Sequence, residues 1–151
     1  MSVKNVTVRE ARDQQSKGTV YVDVRSIPEY AHGHPAGAVN VPLIHQDERT
    51  GQMVPNRDFV MVMQRNFSAD APLLIGCQVG GRSAQAAEIL ASSGFTDVSN
   101  VLGGYGGARD PVTGTLRAEG WLHASLPIEL EQDPGTSYRA LTEKPERGSS
   151  R

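Results

Sequence analysis

Pro72-Leu-Leu-Ile-Gly-Cys77-Gln-Val-Gly-Gly-Arg82-Ser-Ala84 packs three kinds of local structure into thirteen residues. Its opening run of large apolar residues, bounded by Pro72 and Gly76, predicts a short buried strand. The run stops at Cys77, the one cysteine of the chain. Two glycines and an arginine follow, and an alanine-rich segment from Ser83 to Ser93 predicts a helix. A strand, a tight glycine loop and a helix start together cradle negative charge, because free N–H groups and the helix dipole converge there. A cysteine at the mouth of such a cradle is favoured as the thiolate, the nucleophilic form. Cys77 is therefore the expected centre of the site, and the rest of the chain its scaffold.

The composition narrows the possibilities. A chain of 151 residues predicts one domain with an adequate core. A formal net charge of −2 without a Lys/Arg cluster gives no nucleic-acid footprint. The first ten residues hold no apolar core of a secretory signal, and no apolar run approaches the roughly 20 residues that span a bilayer. Neither nucleic acid nor a membrane is an expected partner. A lone cysteine makes no intramolecular disulfide, which fits a reducing cytoplasm. It also leaves an oxidised or sulfur-loaded Cys77 without a resolving thiol in its own chain. His32, His45 and His123 have no metal-ligand spacing, so no metal and no cofactor is expected.

Outward from the Cys77 loop, strands and helices alternate. Thr7-Val-Arg-Glu10 fits a capping box and opens a polar, peripheral helix that Gly18 ends. Thr19–Val24 is rich in β-branched residues and predicts a strand; Glu29–His32 suits one helical turn, and Ala38–Val41 a brief strand ending at Pro42. Residues 43–55 read as a polar connection turning at Thr50-Gly51. Phe59, Val62, Met63 and Phe67 follow helical spacing, with Asn56 as the expected N-cap. The run Phe59–Met63 also suits a strand, but its length with flanks and its unbranched methionines favour the helix. Small residues in the segment after Cys77 let that helix lie close on a sheet, and Gly94 stops it. A further strand is expected around Val98–Leu102, before Gly103-Gly104. This order predicts an α/β fold: a parallel sheet of about five short strands with helices on both faces. Ligands in such folds sit at the carboxyl ends of the strands, where Cys77 falls.

Spacing separates the chemistries that use an anion cradle. Gly76-x-x-x-x-Gly81-Arg82-Ser83 matches a nucleotide P-loop except that Arg82 stands where a lysine belongs. A planar guanidinium does not replace that compact charge, and no downstream strand ends in an aspartate suited to Mg²⁺. Cysteine phosphatase and arsenate reductase loops place an arginine six positions after the cysteine. Here only Gln78, Val79, Gly80 and Gly81 intervene, and the tighter ring favours a single sulfur atom on Cys77 over a phosphoryl group. An inert buried cysteine is the remaining alternative; the Gly-Gly-Arg-Ser context argues against it.

Four segments together resemble a single-domain rhodanese of the thiosulfate sulfurtransferase type. They are Val22-Asp23-Val24-Arg25; Glu29-Tyr30 with Gly33-His34 and Gly37–Pro42; the Cys77 loop through Arg82-Ser83; and Gly103-Gly104 with Trp121 and Leu126-Pro127. They span about residues 4–130, in the family's order. The resemblance implies a rhodanese-like domain over 1–130 that moves a sulfane sulfur through a Cys77 persulfide. The donor is a small anion such as thiosulfate, and the acceptor is cyanide, a thiol or a protein. Donor binding is assigned to Gln78, Val79, Gly80, Gly81, Arg82 and Ser83. The N–H groups of residues 78–82 are expected to hold the sulfur, Arg82 to orient the donor and Gln78 to face the entrance. Asp23, Arg25 and His34 are expected to be structural, the first two as an ion pair, and Trp121 a core cap. The alternatives are a persulfide carrier or regulatory module of the same fold acting on a protein partner and, further off, a phosphatase or arsenate reductase. Two features depart from the family pattern. Residues 105–120 separate Gly104 from Trp121, so 106–120 is expected to be an inserted surface loop. Residues 131–151 form an extra polar tail, partly docked or disordered, with Tyr138 and Leu141 as its docking side chains.

Overall fold

The computed structural model describes residues 3–130 and 135–143. In chain order the elements are β1 (Lys4–Val6), α1 (Val8–Ser16), β2 (Val20–Asp23), α2 (Ile27–Ala31), β3 (His34–Pro35), β4 (Val39–Asn40), β5 (Ile44–Gln46) and β6 (Met53–Pro55). They continue as α3 (Phe59–Asn66), β7 (Leu73–Gly76), α4 (Gly81–Ser92), β8 (Val98–Val101), β9 (Ala108–Arg109), β10 (Leu116–Ala118), β11 (Ile128–Glu129) and α5 (Tyr138–Thr142).

Five strands form one sheet in the order β1-β8-β7-β2-β4, and every neighbouring pair is parallel. The expected α/β architecture is thus the one found. The alternation of each central strand divides its side chains between two cores. Leu73 and Ile75 of β7, with Val22 of β2, pack against Phe59, Val62 and Met63 of α3 and Ala86, Ala87 and Leu90 of α4. Leu74 and Tyr21 point the other way, toward Val8 and Ala11 of α1, Tyr30 of α2 and Trp121. Trp121 is wholly buried, stands edge-on to Tyr21 at 5.4 Å and donates its indole N–H to Pro127 O. It is part of the second core and closes it.

Local signals account for the helix ends. Thr7 and Glu10 make both halves of the capping box that opens α1. A second box, Ser26 with Glu29, opens α2 two residues before the expected turn, with proline in its first turn. Asn56 is not the N-cap of α3. That position falls to Asp58, and the Asn56 amide instead donates to Pro42 O at 2.8 Å and accepts from Asp58 N at 3.1 Å. Its side chain is taken up by the strand-to-helix connection.

Residues 43–55, read as a connection, contain the antiparallel pair β5–β6, with Ile44 opposite Pro55 and Gln46 opposite Met53. The polar run Asp47–Gly51 is the turn between them. β1 was also unanticipated: it has one buried residue, Val6, and joins the sheet by pairing in parallel with β8. Residues 108–118 carry the two-stranded β9–β10 unit. α5 sits on the first core through Leu141, and the Tyr138 hydroxyl meets the Asn56 amide. Residues 131–134 and 144–151 of the expected tail lie outside the described residues. Among the described residues, no helix is long and apolar enough to cross a membrane.

From β2 the chain steps to β4 on one side and then returns to β7 on the other. The strand order therefore reverses between β2 and β7, and a crevice opens at their carboxyl ends. Cys77 follows β7 and Arg25 follows β2 at this point.

Candidate active site

Gly80 is the N-cap of α4. Its left-handed backbone, φ +113°, suits glycine, and with no side chain it cannot cap the helix. The cap acceptor comes from Cys77 instead. Cys77 Sγ receives the Ser83 amide at 3.3 Å and the Gly80 amide at 3.1 Å. Ser83 N–H, in the third helical position, is the donor that an N-cap side chain ordinarily satisfies. The sulfur thus sits where the helix terminus offers its free donors, with only 1% of the cysteine's surface exposed. The sequence pointed to the amides of 78–82. The left-handed turn at Gly80 selects two donors, one of them just beyond that range.

Behind the sulfur, Ser83 Oγ lies 3.4 Å from Sγ and donates to Asn100 Oδ1 at 2.6 Å. The Asn100 amide reaches Asn5 Oδ1 of β1 at 3.3 Å. A second segment closes over the loop from the other side: Tyr105 N–H donates to Cys77 O and Gly106 N–H to Gln78 O, both at 2.8 Å. This approach requires glycine at 104, because a Cβ there would overlap the Cys77 carbonyl.

The shoulder on β2 is a buried ion pair. Arg25 Nη2 meets Asp23 Oδ2 at 2.8 Å, with the two side chains 4% and 2% exposed. The same Nη2 donates to Gly33 O at 2.6 Å, Nη1 donates to Gln78 Oε1 at 3.3 Å, and the guanidinium lies 4.4 Å above the Tyr105 ring. Burial opposes the Arg25 charge, but hydrogen bonding and Coulomb attraction from Asp23 outweigh it, and its pKa is raised. His34 stands behind this group. It stacks on Tyr30 at 3.6 Å and donates Nδ1–H to Tyr30 O, and its Nε2 is 3.6 Å from Glu129 Oε1.

The rhodanese-like domain family model matches residues 7–109. This chain belongs to that family. It is 38% identical over 101 residues to thiosulfate sulfurtransferase 16, chloroplastic, of Arabidopsis thaliana, covering 67% of this chain and 82% of that one. It is equally identical over 102 residues to the senescence-associated protein DIN1 of Raphanus sativus, but spans only 54% of that longer relative. Among solved structures, Rv0390 from M. tuberculosis superposes with a TM-score of 0.69 at 26% identity, covering 87% of this chain and 100% of that one.

Within this rhodanese-like domain, the structure brings Cys77, Gly80, Ser83, Gln78, Arg25 and Asp23 into one network. Val79 projects from the loop, 54% exposed, and Gly81 starts α4. Gln78 is not free at the entrance: Arg25 holds its carbonyl oxygen, and its amide packs at Gly106. Arg82 is engaged as well. Its guanidinium meets Glu29 fork to fork, Nη1–Oε1 at 2.8 Å and Nη2–Oε2 at 3.0 Å. That contact holds the Glu29 carboxyl down at about 2. Three participants had no role from the sequence: Glu29, Tyr105 and Asn100. Glu29 carried a signal, a glutamate three residues after a serine and next to a proline. Asn100 carried another, a polar residue inside a buried parallel strand.

Proposed function

We propose that this rhodanese-family chain is a sulfurtransferase that works through a persulfide on Cys77. The observation that carries this reading is the Cys77 sulfur placed as acceptor for the Gly80 and Ser83 amides at the start of α4. Relatives named thiosulfate sulfurtransferase support it.

In the first step, a thiolate lone pair on Cys77 attacks the outer sulfur of a donor such as thiosulfate. The donor's S–S bond breaks, sulfite leaves with its electron pair, and Cys77 holds a persulfide. In the second step, cyanide or a thiol attacks the terminal sulfur, and Cys77 leaves as the thiolate. The amides of Gly80 and Ser83 and the α4 dipole stabilise the sulfur anion in both states. Gln78, Val79 and Gly81 shape the loop and its rim. Arg25, Asp23 and His34 support it from the side of β2 and β3, and Arg82 stands in the first turn of α4. The single cysteine leaves discharge of the persulfide to an outside acceptor, and it suits a reducing compartment such as the cytoplasm. Residues 106–120 and 131–151 are read as additions to the domain.

Intact-mass measurement after incubation with a sulfane-sulfur donor tests the reading. The expected result is a gain of one sulfur atom, absent in Cys77→Ala and discharged by cyanide as thiocyanate. No gain with thiosulfate, an arylthiosulfonate or a low-molecular-weight persulfide would overturn it.

A further inference from the structure

The charges around the loop cancel in pairs. Arg25 is matched to Asp23 inside the shoulder, and Arg82 to Glu29 at its surface, where the two side chains are 26% and 35% exposed. A dianion approaching Cys77 therefore meets no surplus positive charge from either arginine. Nor is Glu29 a loose counter-ion. Its Oε1 also accepts from Ser26 N and Ser26 Oγ, each at 3.0 Å, as half of the capping box of α2. The masking carboxylate is anchored to a helix start, so an incoming anion must draw Arg82 away from a fixed partner.

We infer that Glu29 is a specificity-determining residue: by masking Arg82 it biases the site against dianionic donors such as thiosulfate and toward sulfane donors of lower charge. The inference rests on the sulfurtransferase reading above. Sulfur loading from thiosulfate adds a dianion to a thiolate and releases sulfite, also a dianion, leaving the Cys77 persulfide. An arylthiosulfonate follows the same course with one charge fewer: the thiolate takes the outer sulfur, and an arylsulfinate monoanion leaves with the bonding pair. The two donors differ chiefly in charge and in the aryl group, so their ratio reads the field at the loop. Hydropersulfides of thiols, free or on a protein, carry at most one negative charge on the reacting sulfur and fall in the favoured class.

The experiment compares kcat/KM for cyanide-dependent sulfur transfer from thiosulfate and from benzenethiosulfonate, in wild type and in Glu29→Gln. Glutamine keeps the capping box and removes the charge. The expected result is a rise of about tenfold for thiosulfate with less than about a twofold change for benzenethiosulfonate. The same factor for both donors, or a fall for thiosulfate, overturns the inference while leaving the sulfurtransferase reading intact. Failure of both donors to load wild-type Cys77 overturns the reading itself. Should Glu29→Gln not fold, Glu29→Ala carries the test: it also removes the carboxylate opposite Arg82, at the cost of half the α2 capping box, and the same selective rise for thiosulfate is expected. A change of under about twofold for both donors means that the Glu29 charge does not set the field at the loop, which overturns the inference.

Discussion

Ser83 serves two neighbours at once: its amide reaches Cys77 Sγ at 3.3 Å, and its hydroxyl donates to Asn100 Oδ1 at 2.6 Å. The backbone contact depends on the helix start, the side-chain contact on β8. Ser83→Ala keeps the amide contact and removes those of the hydroxyl, to Asn100 Oδ1, to Gly80 O at 3.1 Å and to Cys77 Sγ at 3.4 Å, leaving the Asn100 oxygen buried without that donor. Urea unfolding should place the variant about 1–3 kcal/mol below wild type. Sulfur loading of Cys77 should persist, because the amide remains. A variant as stable as wild type would show that Asn100 Oδ1 finds another donor.

Asp23 accepts the Arg25 backbone N–H and two nitrogens of its guanidinium, in a place where neither side chain reaches water. Removing one partner of such a pair leaves an uncompensated buried charge. Asp23→Ala should therefore lose about 3–5 kcal/mol of stability. Asp23→Asn, which keeps the shape and one acceptor, should lose less. Denaturant midpoints for the two variants settle the order, and equal losses would count against the charge argument.

What the sequence made legible was local. The apolar run 73–76, the thiol after it, the glycines and the helix start lie within a dozen residues, and their geometry follows from chain propensities. The parallel sheet followed from the alternation of strands and helices, and the family from that run together with three other segments in order. Less legible were features that depend on partners distant in sequence. Glu29 and Arg82 are separated by 53 positions, and nothing local in Gly-Gly-Arg-Ser says that the guanidinium has a carboxylate opposite it. Asn56 looked like a cap because its rival use, a bond to Pro42 O, exists only once the connection folds. β1 escaped notice because its strand character comes from pairing with β8, with little apolar pattern of its own.

Gly104 lets one loop rest on another. Its backbone is left-handed, φ +56°, and an added Cβ would overlap Cys77 O, the acceptor of the Tyr105 N–H bond. Gly104→Ala must meet the left-handed penalty and push the two segments apart, and a loss of more than about 2 kcal/mol is expected. The same displacement should expose the sulfur. Alkylation of Cys77 by iodoacetamide should accelerate under conditions where the variant is still folded. Unchanged alkylation would mean that the 103–106 segment does not shield the loop.

The Arg82–Glu29 contact also has a signature in stability against pH. In the folded chain the arginine holds the Glu29 carboxyl at about 2, against an ordinary value of 4.5. A depressed folded value means that the unfolded chain takes up the proton first as pH falls. The contribution of Glu29 is therefore fully present above pH 4.5 and is lost progressively as pH drops toward about 2. Asp110 and Glu119 are also held low by their partners and give a slope of the same sign, but equally in wild type and in Glu29→Gln. The difference between the two thermal-midpoint curves thus isolates Glu29: the wild-type advantage should shrink across that window and stay flat above it. Parallel curves down to pH 2 would mean that the ion pair contributes nothing to folding. They would also weaken the case that Glu29 holds Arg82 firmly enough to discriminate between donors.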